Sequence, residues 1–85
     1  MPVISRFFGV VIAMFWRDHA PPHFHAKYGN DEVTIDIRAG EVTGTISKRA
    51  LAMVDEWRLL HRDELLANWE RAAARQSLRR IDPLE

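Results

Sequence analysis

The sequence predicts an α+β fold, an antiparallel β-meander of about four strands followed by two C-terminal helices packed on one face. Three observations predict it. Apolar and polar residues alternate from His23 to Ile37, interrupted once at Gly29-Asn30. Apolar residues then recur at helical spacing in two stretches, Ala50 to Leu60 and Leu65 to Ala73. At 85 residues the chain forms one domain, and it buries only about 60–65% of its unfolded surface, so it has one modest core.

The elements follow in order. Residues 7–16 are rich in β-branched and aromatic side chains and read as a central strand, apolar on both faces around Val10 and Ile12. Residues 18–22 break it, because Pro21 and Pro22 cannot continue a ladder. In HFHAKY, Phe24, Ala26 and Tyr28 share one face, while His23, His25 and Lys27 share the other. After the Gly29-Asn30 turn, Val33, Ile35 and Ile37 continue the apolar face. A second turn at Ala39-Gly40 leads to a short strand over residues 41–46, with Val42 and Ile46 inward. This completes a meander over residues 1–46.

Residues 47–76 are helical. Ser47 is the expected N-cap. Ala50, Met53, Val54, Trp57 and Leu60 form the first apolar stripe, with Lys48, Arg49, Asp55, Glu56 and Arg58 opposite. The second stripe, Leu65, Leu66, Trp69, Ala72 and Ala73, is out of phase with the first. One continuous helix over residues 48–75 would be about 42 Å long, too long for this domain to cover. A break is therefore expected near residues 61–63. In the tail, residues 77–85, Leu78, Ile81 and Leu84 flank Asp82-Pro83 and read as a docking segment, on the protein's own sheet or on a partner.

Composition excludes several functions. With no cysteine there is no disulfide framework, thiolate metal site or cysteine nucleophile. Twelve basic residues balance twelve acidic ones, so net charge calls for neither nucleic acid nor membrane. The apolar run near the N-terminus is too short to span a bilayer and lacks a small-residue cleavage site, so a cytoplasmic protein is expected. There is no glycine-rich phosphate loop and no serine nucleophile constellation. Arg71, Arg75, Arg79 and Arg80 form a basic C-terminal edge.

Chemistry concentrates in DHAPPHFHAKYG, residues 18–29, which holds three of the chain's four histidines. A two-residue Gly29-Asn30 loop puts His23 opposite Asp36 and His25 opposite Thr34; an Asn30-Asp31 loop puts His25 opposite Asp36. Either register gives a histidine a cross-strand carboxylate within hydrogen-bond reach. Three readings follow. In the first, His23 or His25 carries a proton, Asp36 orients it, and Arg17, Lys27 or Arg38 contacts an anion. In the second, His23 and His25 ligate Zn²⁺ or a similar divalent ion, with His19 or Asp18 as third ligand. In the third, the hairpin face is simply polar and solvated, and no cofactor is needed.

MPVISRFFGVVIAMFWRDHAPPHFHAKYG, together with DEWRLLHRDELLANWERA and RRIDPL, resembles a small bacterial family catalogued as domain of unknown function 4160. Asp18-His19, the PPHFH run, Tyr28-Gly29, Trp57, His61-Arg62 and Asn68-Trp69 fall in that family's order and spacing. One departure is Thr45-Ile46-Ser47-Lys48, where the family leads one to expect a Leu-Pro step before the first helix. The resemblance implies a product of a two-gene, type II toxin–antitoxin-like module and brings no catalytic residues with it. The expectation is therefore a ribonuclease-like toxin acting on RNA through His23, His25 and Asp36, neutralised by a co-encoded partner protein. A metal-binding module and a non-catalytic adaptor are the alternatives.

Overall fold

In the computed structural model, which describes residues 2–85, the meander has five strands. They are β1 (Val3–Phe7), β2 (Val10–Ala13), β3 (His23–Tyr28), β4 (Asp31–Asp36) and β5 (Val42–Gly44). All neighbours are antiparallel and the spatial order is the chain order. The extra strand corrects the expectation of a single strand over residues 7–16. The chain turns at Phe8-Gly9, both with positive φ (47° and 83°), the backbone a two-residue hairpin of the right twist requires. A phenylalanine at such a position gives no turn signal in the sequence.

The second hairpin follows the sequence pattern. Tyr28 pairs with Asp31, which leaves Gly29-Asn30 as the loop, and Gly29 supplies the positive φ. The register is therefore His23↔Asp36 and His25↔Thr34. Val42 departs from expectation: it lies on the edge strand β5 and is 38% exposed, while Ile46 is buried.

Two helices complete the chain, α1 (Lys48–Leu60) and α2 (Arg62–Ala73). Ser47 caps α1, its hydroxyl accepting from the Ala50 N–H at 3.1 Å. The break falls at His61, and Asp63 and Glu64 in the first turn of α2 suit its positive end. Among the described residues no helix is long and apolar enough to cross a membrane.

The core lies between the helices and one face of the sheet. Val10, Ile12, Phe24, Ala26, Val33 and Ile35 meet Ala50, Val54, Trp57 and Leu65. Trp57 is fully buried, with the rings of Phe7 and Phe24 at 5.5 and 5.7 Å. Its Nε1 donates to the Asp82 carbonyl at 2.8 Å, and the Ile81 N–H donates to the Ile4 carbonyl. The tail thus docks on its own domain. Asn68, also fully buried, clamps the tail by donating to the Arg79 carbonyl and accepting from its N–H.

Three helix positions differ from the expected stripes, the first being Ala73, which is exposed at the end of α2. Leu60 is 66% exposed, on the same outward side of the last turn of α1 as Leu59, while Trp57 and Arg58 face inward. Arg58, expected on the polar face, is only 5% exposed. Its Nη1 donates to the carbonyls of Ile37 and Arg38, and Asp55 Oδ1 accepts from its Nε, so the guanidinium closes the chain after β4. Gly40 makes room for it: a Cβ there would stand 2.5 Å from Arg58 Nη2.

Candidate metal centre

The strand β3 sends His23 and His25 to the face opposite the core, where the loop between β2 and β3 folds against them. Pro21 and Pro22 stiffen that loop, and the Ala20–Pro21 bond is cis. The fold brings Asp18 onto both rings. His23 Nε2 is 2.9 Å from Asp18 Oδ2, and His25 Nε2 is 3.5 Å from the same oxygen. One donor atom from each of Asp18, His23 and His25 lies within 4.8 Å of the others.

The hydrogen bonds define the rings. His23 Nδ1 lies 2.8 Å from the Pro21 carbonyl, which can only accept, so Nδ1 carries a proton. Nε2 then faces a carboxylate that also only accepts. Both contacts are satisfied by a doubly protonated ring, or by a neutral one whose bare Nε2 holds a cation. An N–H to a backbone carbonyl on the far nitrogen is the usual outer support of a metal-ligating histidine. His25 is less satisfied. Its side chain is 15% exposed, and neither ring nitrogen makes a hydrogen bond to the described protein. Glu32 Oε2, at 3.4 Å from Nδ1, is close but poorly aligned. Phe15 packs edge-on against this ring at 4.6 Å, and Trp69 of α2 lies 5.2 Å from the ring of His23.

Asp18 responds to these neighbours. Burial alone would raise its pKa, but the His19 N–H, the charge of His23 and the nearby His25 and His23 rings outweigh that. The carboxyl titrates below the ordinary aspartate value.

Beside the three residues opens a cavity of about 300 Å³. Its far wall comes from β4, β5 and the residue just before β5, with Thr34, Asp36, Thr43 and Glu41. A family model described as a domain of unknown function (DUF4160) matches residues 9–70, which include every residue of this site. The chain belongs to that family. No curated protein and no solved structure matches the chain. The matched span leaves out Ile4–Ser5–Arg6–Phe7 and the closing RRIDPL.

In this DUF4160 protein the expected site residues divide. His23 and His25 converge. Asp36 sits opposite His23 in register, yet its Oδ1 accepts from the N–H groups of Arg38 and Ala39 at 2.8 and 2.7 Å. The carboxylate on the histidine is Asp18. Asp36 instead lines the cavity, pinned by the turn that follows β4. His19 is 87% exposed, its Nδ1 meets Asp18 Oδ1 at 2.9 Å and its ring lies 5.4 Å from that of His23. The cluster of converging donor atoms, however, is Asp18, His23 and His25, so Asp18 takes the third position that the metal reading gave to either residue. Arg17, Lys27 and Arg38 are exposed, and none lines the cavity. Glu32, Glu41 and Thr43 had no signal in the sequence beyond their place in the strands.

Proposed function

We propose that this protein binds a single divalent transition-metal ion, Zn²⁺ or one of similar ligand preference, through Asp18, His23 and His25. The observation that carries the reading is the convergence of the three donors, with His23 oriented by Pro21 so that Nε2 faces Asp18 Oδ2 at 2.9 Å, where an ion would join them. Two imidazoles and one carboxylate suit Zn²⁺, Fe²⁺ or Mn²⁺ better than Ca²⁺ or Mg²⁺, which prefer oxygen alone. The unpartnered Nε2 of His25, which faces Asp18, supports it too, since leaving a buried polar group unpaired costs about 1–3 kcal/mol and an ion there would remove that cost.

A toxin acting on RNA, neutralised by a co-encoded partner, has less behind it. The cavity wall carries Asp36 and Glu41, which repel a phosphodiester, and the basic residues lie elsewhere. Growth of cells expressing the chain with and without the neighbouring gene tests that reading separately.

The test of the metal reading is Zn²⁺ titration of chelator-treated protein, followed by melting temperature and elemental analysis. One equivalent should bind, and a free concentration of 100 times Kd should add about 2.7 kcal/mol of stability. Co²⁺ or Ni²⁺ should also quench Trp69, which lies against His23. Asp18→Asn, His23→Ala and His25→Ala should each abolish these effects. Folded wild type that takes up no metal would overturn the proposal.

A further inference from the structure

The open side of this site has a chemistry of its own. We infer that it hydrolyses an acyl bond in a small substrate bearing a positive charge, an inference that rests on the metal reading above. Three protein ligands leave a divalent ion at least one position for water, as in catalytic zinc sites, and the ion makes that water acidic enough to react at neutral pH. A water here faces the cavity of about 300 Å³, large enough for a small molecule and not for a folded polymer.

The wall residues set the substrate. Asp18 and a divalent ion together leave one surplus positive charge. Asp36 and Glu41 on the opposite wall outweigh it, with no lysine or arginine among the cavity's residues. An anionic substrate is repelled and an amine is attracted. Thr34 and Thr43, paired across β4 and β5, add hydroxyls for a carbonyl or amide.

Asp36 is built to move the proton. Its Oδ1 is fixed by two backbone N–H groups, whereas Oδ2 takes no hydrogen bond among the described residues. The carboxylate is thus held in one plane with one oxygen free, which spares reorganisation during reaction. In the step inferred, the water oxygen bonds to the acyl carbon and its proton passes to Asp36. The C–N bond then breaks, its electron pair stays on nitrogen, and that nitrogen takes the proton from Asp36. Water is the co-reactant; a carboxylic acid and an amine are the products. Glu41 holds the substrate's ammonium group.

The test uses full-length protein loaded with Zn²⁺ or Co²⁺, its metal content verified. The probes are alanine p-nitroanilide, its N-acetyl derivative and bis(p-nitrophenyl) phosphate. The charged anilide should be hydrolysed with kcat/KM at least ~10-fold above the acetylated one, and the phosphodiester should be inert. Asp36→Asn keeps an oxygen for the turn, so it should hold its metal and melting temperature while kcat falls about 10²–10⁴-fold. Glu41→Gln should raise KM for the charged anilide and leave kcat. Metal-loaded protein that cleaves none of the three, treats both anilides alike, or favours the phosphodiester would overturn the inference. Protein that fails to load metal would overturn the underlying site as well.

Discussion

Over its first four residues, the two faces of β3 are both shielded from water, and they are shielded in different ways. Phe24 and Ala26 are fully buried in aliphatic and aromatic packing. His23 and His25, one residue along, keep only 11% and 15% of their side-chain exposure. The apolar face needs nothing more than shape. The histidine face needs partners for four ring nitrogens, and the protein supplies them for two. A packed face tells how the chain folds; an incompletely paired one tells where something binds.

The largest effect should come from the apolar face. Trp57→Ala removes the ring between Phe7 and Phe24 and the hydrogen bond that holds the tail at Asp82. It should cost about 3–5 kcal/mol, a large share of what a domain of this size possesses. Urea denaturation measures it. A cost below about 1 kcal/mol would mean that the core does not centre on this residue.

Asn68→Ala should come next. It leaves the Arg79 N–H and carbonyl without their partner, at about 1–3 kcal/mol for each group that water does not reach. Limited proteolysis should then cut the tail well before the domain unfolds. Equal resistance of variant and wild type would show that Ile81, Leu84 and the hydrogen bonds to Trp57 and Ile4 hold the tail without Asn68.

Most of the fold was legible because period-two and period-3.6 patterns report burial directly. The Gly29-Asn30 turn and the Ser47 cap followed from local signals. The register stood between two loop choices, and the break between the helices followed from the phase of the two stripes and the length of one continuous helix. The misses have local causes too. Phe8 occupies a turn position normally marked by Gly or Asn, so β1 was hidden. Arg58 is buried by its length, which lets a residue on the polar side of α1 reach carbonyls after β4. The site was half legible. Strand alternation put His23 and His25 together, but the path of residues 18–22 decides that Asp18 meets them. No periodicity encodes that path.

The histidines themselves sharpen the contrast. In metal-free protein His25→Leu should be neutral or stabilising by up to about 1–3 kcal/mol, since it removes two unpaired nitrogens from a site already walled by Phe15. His23→Leu should destabilise by a similar amount, because Pro21 and Asp18 both lose their donor. Melting curves with chelator present separate the two. If both variants destabilise equally, His25 has a partner that its geometry does not reveal, and the two rings act as one structural unit.

The smallest effect is expected from acid, on Asp18. Its folded pKa is depressed, so its contribution to stability is present in full above the unfolded value of about 3.9 and is lost as pH falls through the folded one. Burial opposes the depression, which keeps the contribution small. Wild-type and Asp18→Asn proteins, both metal-free, should therefore differ in melting temperature by a margin that is full at about pH 5, where histidine side chains in general carry their charge, and still present at about pH 4. Below that the margin should close, because protonation turns the wild-type carboxylate into the neutral acceptor that asparagine already is. Phe24 and Ala26 carry no titrating group and should add nothing to this slope. Parallel curves down to pH 2.5 would mean that Asp18 and the imidazoles do not attract one another in the folded protein, and the polar face would then be held by packing alone.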